Sequence, residues 1–345
     1  MTNFKIKSRI IKNHLKPYII AEACINHEGS IEHAIKMIAE AKKSGADCIK
    51  FQIHNLDNEM LKKTPLSDNF KNSLWDTLKK TNFDINQQKI LKENCEKLNI
   101  DYLCTPFSRD GADQLDSIGV EIFKIGSGEM TNLPLIEHIA KKKKPMIVST
   151  GMSNISEIEE TVNLIKSIGT PLMLTHCTSV YPCPYKLSNL KVINKLNKLF
   201  SIPVGLSDHT STIYTSLGAI AHGACLIEKH FTLDKKANGP DHASSIEPQE
   251  LKELVIGANA IFEANGEEKK IFEEERQVLA WARESVVTEK DIEKGDILNK
   301  QNVWVKRPGP GNEFIPAKDY TKVLGKTALK EIKKDTQIKW QDISD

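Results

Sequence analysis

Two lysines and two histidines in this 345-residue chain stand where short apolar runs end, and they are the residues best suited to chemistry. Lys50 lies in CIKFQIH and Lys124 in IFKIGS, each with apolar neighbours on both sides. A lysine so placed is desolvated unless it faces an anion, so the pair points to a phosphate or carboxylate ligand, although surface lysines are the default in a lysine-rich chain. Thr105, Ser127, Ser149 and Ser207 sit at similar run ends beside glycine, proline or a strand terminus. Such hydroxyls suit an oxyanion cradle, and they also serve as turn caps. His209 in GLSDHT and His230 in IEKHFT end two consecutive runs, which gives the proximity that a divalent metal needs. Glu22, Gln52, Ser179 and Tyr181 complete the run ends, with Glu22 a further ligand or an acid/base group.

The elements that must position these groups follow a regular alternation. Eight β-branched or apolar runs occur, at 17–24, 48–54, 101–107, 122–127, 145–151, 172–179, 203–209 and 224–232. Amphipathic stretches separate them, such as 31–45, 85–99 and 156–169. In the last, Ile158, Val162, Ile165 and Ile168 recur at the spacing of a helix lying on a sheet. Gly45 and Gly169 follow as left-handed C-terminal caps. Eightfold strand–helix alternation over about 250 residues reads as a (β/α)8 TIM barrel, an α/β fold whose reactive groups gather at the C-terminal ends of the strands. A doubly wound open sheet is the alternative, but no G-x-G-x-x-G follows the first run. The long connection 55–85, which carries Trp75, is expected to fold over one mouth of the barrel.

Beyond the helical pattern at 248–264 the composition changes. Boundaries are expected at 1–266 for the barrel, 267–282 for a charged, partly helical linker, and 283–345 for a small β-rich domain. That last piece is small for an independent core and is expected to lean on the barrel or on another subunit. The chain has 48 basic and 46 acidic residues, a net charge of +2, which argues against bulk binding to nucleic acid or an anionic membrane. Apolar content of 39% and charged content of 27% are ordinary for a globular protein. With no apolar stretch near the ~20 residues of a membrane span and no signal-peptide core, a cytoplasmic location is expected. The seven cysteines form no C-x-x-C pair and read as buried, reduced thiols.

In order and spacing, the segments IIAEACINHEGS, IKFQ, TPFSR, FKIGSGE, VSTGM, HCTSVYP, GLSDHT, IEKHFT and GPDHASS resemble the sialic acid synthase family. The tail, VKRPGPG followed by LGKTALKEIKKDTQI, resembles that family's antifreeze-like (SAF) domain. The likeness runs from about residue 17 to the end. It implies condensation of phosphoenolpyruvate with an N-acetylated amino-sugar aldehyde to a nine-carbon 2-keto acid, assisted by Mn²⁺ or Mg²⁺. By resemblance, Lys50, Thr105, Lys124, Ser127, Ser149, Ser179 and Ser207 fall around phosphoenolpyruvate, and His209 and His230 on the metal. Glu22, Gln52, Tyr181 and Asp241 fall near the sugar, with Asn69 a weaker match in the long loop. Arg307, one of five arginines, matches the residue that the family's SAF domain sends into the partner's site, which implies a domain-swapped homodimer.

Ser179 stands where many N-acetylneuraminate synthases have asparagine, and the strand-2 exit IKFQIHNLDNEM is only partly family-like. N-acetylneuraminate synthesis is the first expectation and N,N'-diacetyllegionaminate synthesis the alternative, with pseudaminate a poorer match. A Schiff-base aldolase using Lys124 is the mechanistic rival, and a non-enzymatic sugar- or ice-binding protein is the remotest one.

Overall fold

The computed structural model describes residues 4–65 and 73–344. The chain forms two compact units, Met1–Gly266 and Glu267–Asp345. In the larger, eight parallel strands run β1 (Tyr18–Glu22), β2 (Cys48–Ile53), β3 (Asp101–Pro106), β4 (Phe123–Ile125), β5 (Met146–Ser149), β6 (Leu172–Cys177), β7 (Val204–Asp208) and β8 (Leu226–His230). Their hydrogen-bonded order is β3-β2-β1-β8-β7-β6-β5-β4, so the sheet curls round until β3 and β4 stand at its seam. This is a nearly closed TIM barrel, with helices between successive strands.

Alternation along the strands divides the core in two. One set of side chains, including Ile49, Phe51, Val148 and Ile227, packs outward against the helices. Another, including Ile20, Leu103, Ile147, Met173 and Leu226, fills the interior. Phe4, Ile6 and Ile11 join this inner cluster from a short hairpin (Lys5–Ile6 with Arg9–Ile10) ahead of β1. The hairpin's charged sequence hides its part in the core. Arg9 ties it down, donating to Asp47 Oδ1 at 2.6 Å and to the Pro17 carbonyl at 2.8 Å.

The helices show why the amphipathic stretches fold as they do. In Ile155–Ile168, Asn154 accepts from the Glu157 backbone while Glu157 reaches back to the Asn154 N–H, a reciprocal capping box. Ile158, Val162 and Ile165 are buried, and Gly169 closes the helix at φ 80°. Between β2 and β3, two short helices (Leu56–Glu59 and Leu74–Thr81) pack Leu56, Leu74 and Leu78 against Cys24 and Ile25 in the turn after β1. They therefore cover part of the C-terminal mouth. Asn69 lies outside the described residues.

The smaller unit has its own core, built from residues such as Val286, Leu298, Val303, Ile315 and Ile338. Here β9 (Ser285–Thr288) pairs antiparallel with β10 (Val303–Lys306). Ile292 and Ile332 exchange both backbone hydrogen bonds at 2.9 Å, and each begins a turn with a left-handed residue, Gly295 (φ 97°) and Asp335 (φ 57°). Residues 276–282 form a short helix within this unit, where the Gly309 N–H donates to the Ala280 carbonyl at 2.8 Å.

Candidate active site

Ladder register sets the floor of the site. Glu22 is paired with Lys50 across β1–β2 and with His230 across β1–β8, while Glu228 is paired with Ser207 across β7–β8. Side chains in one such row point the same way, into the barrel, just above the apolar interior. Lys50 Nζ lies 2.5 Å from Glu22 Oε2 and 3.7 Å from Glu228 Oε1, and donates to Thr105 Oγ1 at 3.2 Å. Lys124 Nζ donates to Ser149 Oγ at 2.6 Å and lies 3.7 Å from Glu228 Oε2. Ser207 Oγ donates to Glu228 Oε1 at 2.9 Å. Two ammonium groups and two carboxylates are thus interleaved, all of them buried.

Their protonation preferences differ. Burial raises the Glu22 pKa, with Lys50 opposing only in part. Burial works against the Lys50 cation too, but Glu22 and Glu228 outweigh it and its pKa rises. For Lys124 burial prevails over the pull of Glu228, and its pKa falls. Burial opposes ionisation of Glu228 as well, yet Lys124, Lys50 and the Ser207 hydroxyl hold its pKa low. Glu22 is therefore the member of the group most ready to take up a proton, which would leave the floor net positive towards an anion.

Above this floor, a cavity of about 320 Å³ opens between the strand ends. Among the described residues, its wall brings together every expected barrel residue except Asp241: Glu22, Lys50, Gln52, Thr105, Lys124, Ser127, Ser149, Ser179, Tyr181, Ser207, His209 and His230. Gln52 donates from Nε2 to Cys24 Sγ at 3.1 Å, and His54 Nε2 meets its Oε1 at 3.1 Å. Gly151 donates to Ser127 Oγ at 3.1 Å, and a Cβ there would overlap both Ser127 Oγ and Ser179 Oγ. Only glycine lets those two hydroxyls face each other across the loop.

The His209 and His230 rings meet edge-on, 5.3 Å apart, and the Tyr181 ring stands 4.0 Å from that of His209. His209 Nδ1 lies 2.9 Å from the Thr178 carbonyl. Donation to that carbonyl leaves Nε2 as the free lone pair. Burial, reinforced by His209, pushes the His230 pKa well below its usual value, so its ring is neutral, as metal ligation requires. His230 Nδ1 is buried with no hydrogen-bond partner among the described residues. One ring nitrogen of His230, the Cys24 thiol and an Asp241 carboxylate oxygen lie within 4.8 Å of one another, all buried. Asp241 is thus a member of this metal-type cluster even though it does not line the cavity, whereas His209 is not part of that trio. The neutral His230 imidazole and an adjacent carboxylate suit a divalent cation; burial opposes the His209 cation too, but the Cys177 thiol and the Thr178 carbonyl outweigh it and its pKa rises.

Four residues that sequence reasoning passed over also belong here: Glu228, Glu129, Cys177 and Cys24. Glu228 stands two residues before His230 on β8, so the period of two that sends His230 inward sends Glu228 inward too. Glu129 ends the GSGE segment and lines the cavity; burial pushes its pKa up to about 7. Burial disfavours the Cys177 thiolate, but His209 Nδ1 at 3.8 Å offsets this and brings the thiol down to about 7. All seven cysteines are free and buried, as expected. Arg307 lies in the smaller unit, its guanidinium 5.4 Å from the centre of the Trp281 ring.

Residues 37–270 match the model of the NeuB family, and residues 283–344 that of the SAF domain. The chain belongs to the NeuB family. It is accordingly a sialic acid synthase-type enzyme, a phosphoenolpyruvate-dependent nonulosonate synthase that forms a carbon–carbon bond. The N,N'-diacetyllegionaminic acid synthase of Campylobacter jejuni is 43% identical, the match covering 94% of this chain and 99% of that one. Human N-acetylneuraminate-9-phosphate synthase is 33% identical over 93% and 91% of the two chains. A crystal structure of N-acetylneuraminic acid synthetase from Leptospira borgpetersenii, 34% identical, superposes with a TM-score of 0.72 over 81% of this chain and 95% of its own. No helix among the described residues is long and apolar enough to cross a membrane.

Proposed function

We propose that this NeuB-family chain condenses phosphoenolpyruvate with N-acetylmannosamine and water, giving N-acetylneuraminate and inorganic phosphate. The observation that carries this reading is the buried floor, where Lys50 and Lys124 converge with Thr105 and Ser149 at hydrogen-bonding distance. Such a floor matches a ligand with two anionic ends, a carboxylate and a phosphate, and fixes it in near-attack geometry. Carbon 3 of phosphoenolpyruvate attacks the open-chain aldehyde carbon, and positive charge develops at carbon 2. Water adds there, and the tetrahedral intermediate collapses to the keto acid, expelling phosphate by cleavage of the carbon–oxygen bond. Glu228, fixed between the two lysines, suits stabilisation of the developing cation, and Glu22 suits proton transfer to or from water or the aldehyde-derived hydroxyl.

His209 and His230 would hold a divalent metal, Mn²⁺ or Mg²⁺, with Asp241 adjacent. A cation bound there supplies Lewis acidity to the aldehyde oxygen. In this reading Gln52, Tyr181 and Glu129, which line the cavity, would contact the sugar together with Asp241, and Arg307 would reach the site of a partner subunit in a homodimer. Phosphoenolpyruvate labelled in its bridging oxygen tests the chemistry: the label should leave with phosphate, and label retained in the keto acid would disprove carbon–oxygen cleavage. Mixing Arg307→Ala with His209→Ala should restore part of the activity, whereas no recovery despite demonstrated subunit exchange would remove the trans role.

A second reading, synthesis of N,N'-diacetyllegionaminate from a 6-deoxy diacetamido sugar, is favoured by one observation, the 43% identity to the Campylobacter enzyme of that name. Phosphate release with each sugar in turn separates the two. A Schiff-base route through Lys124 would be revealed by borohydride trapping with pyruvate. The Lys124 ammonium lies between Ser149 and Glu228, a setting for anion binding.

A further inference from the structure

The residue that follows the β1 strand and its Ala23 is Cys24, and it is held in a left-handed backbone conformation, φ 46°. That region is free of steric cost for glycine and unfavourable for a residue with a Cβ. Residues kept there are held by their surroundings and cluster at functional sites. The surroundings of Cys24 are specific. Its thiol accepts from Gln52 Nε2 at 3.1 Å, and it shares a space less than 4.8 Å across with a His230 ring nitrogen and an Asp241 carboxylate oxygen. His230, 93% buried, has an unpartnered Nδ1 among the described residues. A thiol, a carboxylate and an imidazole nitrogen gathered in one buried space, on a ring whose Nδ1 has no partner among the described residues, form the arrangement of an incomplete coordination shell.

We propose that Cys24 is a metal ligand in this chain, so that the divalent site draws on sulfur as well as the nitrogen and oxygen donors expected of it. The proposal rests on the metal-dependent reading above. Its consequence is a change of metal preference. Carboxylate, imidazole and water suit Mn²⁺ and Mg²⁺, whereas a thiolate shifts a site towards Zn²⁺ and Co²⁺. The bond forms by loss of the thiol proton, released to solvent as the metal enters. No oxidation is involved. Gln52, which already donates to the sulfur, would orient the thiolate and remain its hydrogen-bond partner.

The test is a titration of the chelator-stripped full-length protein with Co²⁺, followed by absorption spectroscopy. Ligation by Cys24 gives a near-ultraviolet thiolate-to-cobalt charge-transfer band together with visible bands, saturating at one Co²⁺ per chain. Cys24→Gly removes the thiol at a backbone position that glycine relieves, so the variant should fold at least as well as the parent. It should lose the near-ultraviolet band, keep the visible ones, and weaken Zn²⁺ relative to Mn²⁺ by about tenfold or more. Cys177→Ser, which removes the thiol near His209, should keep the band. A parent protein that binds Co²⁺ with visible bands but no charge-transfer band overturns Cys24 ligation and leaves the metal-dependent function standing. Absence of any cobalt binding, with product still formed in chelator, overturns both.

Discussion

Replacing Glu228 with glutamine isolates the electrostatic logic of the barrel floor. The carboxylate lies 3.7 Å from both Lys50 Nζ and Lys124 Nζ. At an effective dielectric of about 20, each pair is worth ~4 kcal/mol of Coulomb attraction. Glutamine escapes the cost of burying a carboxylate, which cancels part of that loss. What survives is the penalty of leaving a buried cation unmatched, about 3–5 kcal/mol. At ~2–4 °C per kcal/mol for a domain near this size, Glu228→Gln should melt about 6–20 °C below the parent. Two further signatures mark the cause as charge. Saturating inorganic phosphate should raise the melting temperature of the variant more than that of the parent, because the variant floor has a surplus cation to match. The deficit should also shrink as pH rises from 6 to 9. With Glu228 gone, burial drives the Lys124 pKa further down, so the folded state binds fewer protons than the unfolded one and gains stability with pH. Circular dichroism melts with and without phosphate at three pH values read all of this. A variant melting within about 2 °C of the parent, unmoved by phosphate, would refute the reasoning.

Other expectations follow from the same geometry. Burial carries the Glu129 pKa from 4.5 to about 7, worth about 3 kcal/mol. This raised value gives stability that is fully present below pH ~4.5 and lost as pH climbs through about 7; Glu129→Gln should flatten a urea-denaturation series between pH 4.5 and 8 by that amount. Gly151→Ala should push Ser127 and Ser179 apart and raise the phosphoenolpyruvate KM with little change in melting temperature, as steady-state kinetics and calorimetry would show. Asn154→Ala, which removes the helix cap, should cost about 1 kcal/mol without altering kcat. Chelation should abolish activity, and added Mn²⁺ or Mg²⁺ should restore it.

The barrel was legible because its strands and helices differ in hydrophobic period, and because polar residues recur at each strand end. That second signal located Lys50, Lys124, Ser149, Ser207 and both histidines, which the fold then gathers around one cavity. The residues passed over had been masked in different ways. Glu228 sits inside a strand, IEKHFT, where attention to the terminal histidine hides the inward position two residues earlier. Cys24 reads as a small core thiol, since a linear sequence gives no sign of its left-handed backbone. The hairpin before β1 is too short and too charged to show a period, and Phe4, Ile6 and Ile11 acquire meaning only when they meet the barrel interior. Arg307 was singled out by the resemblance of its segment VKRPGPG to the SAF domain, and its placement over the Trp281 ring depends on a fold that periodicity does not predict.

The paired turns of the smaller unit give it the character of a duplication. DIEKGDIL and EIKKDTQI occupy equivalent places around the mutual Ile292–Ile332 bonds, and Leu298 and Ile338 end the two segments in the same core. A doubled scaffold lets its copies diverge. The first keeps glycine at its left-handed corner, whereas the second has Asp335, whose carboxylate receives the Lys306 ammonium at 2.7 Å. Lys306 is the residue next to Arg307. One copy thus remains plain architecture while the other has become a tether for the strand end that presents the arginine.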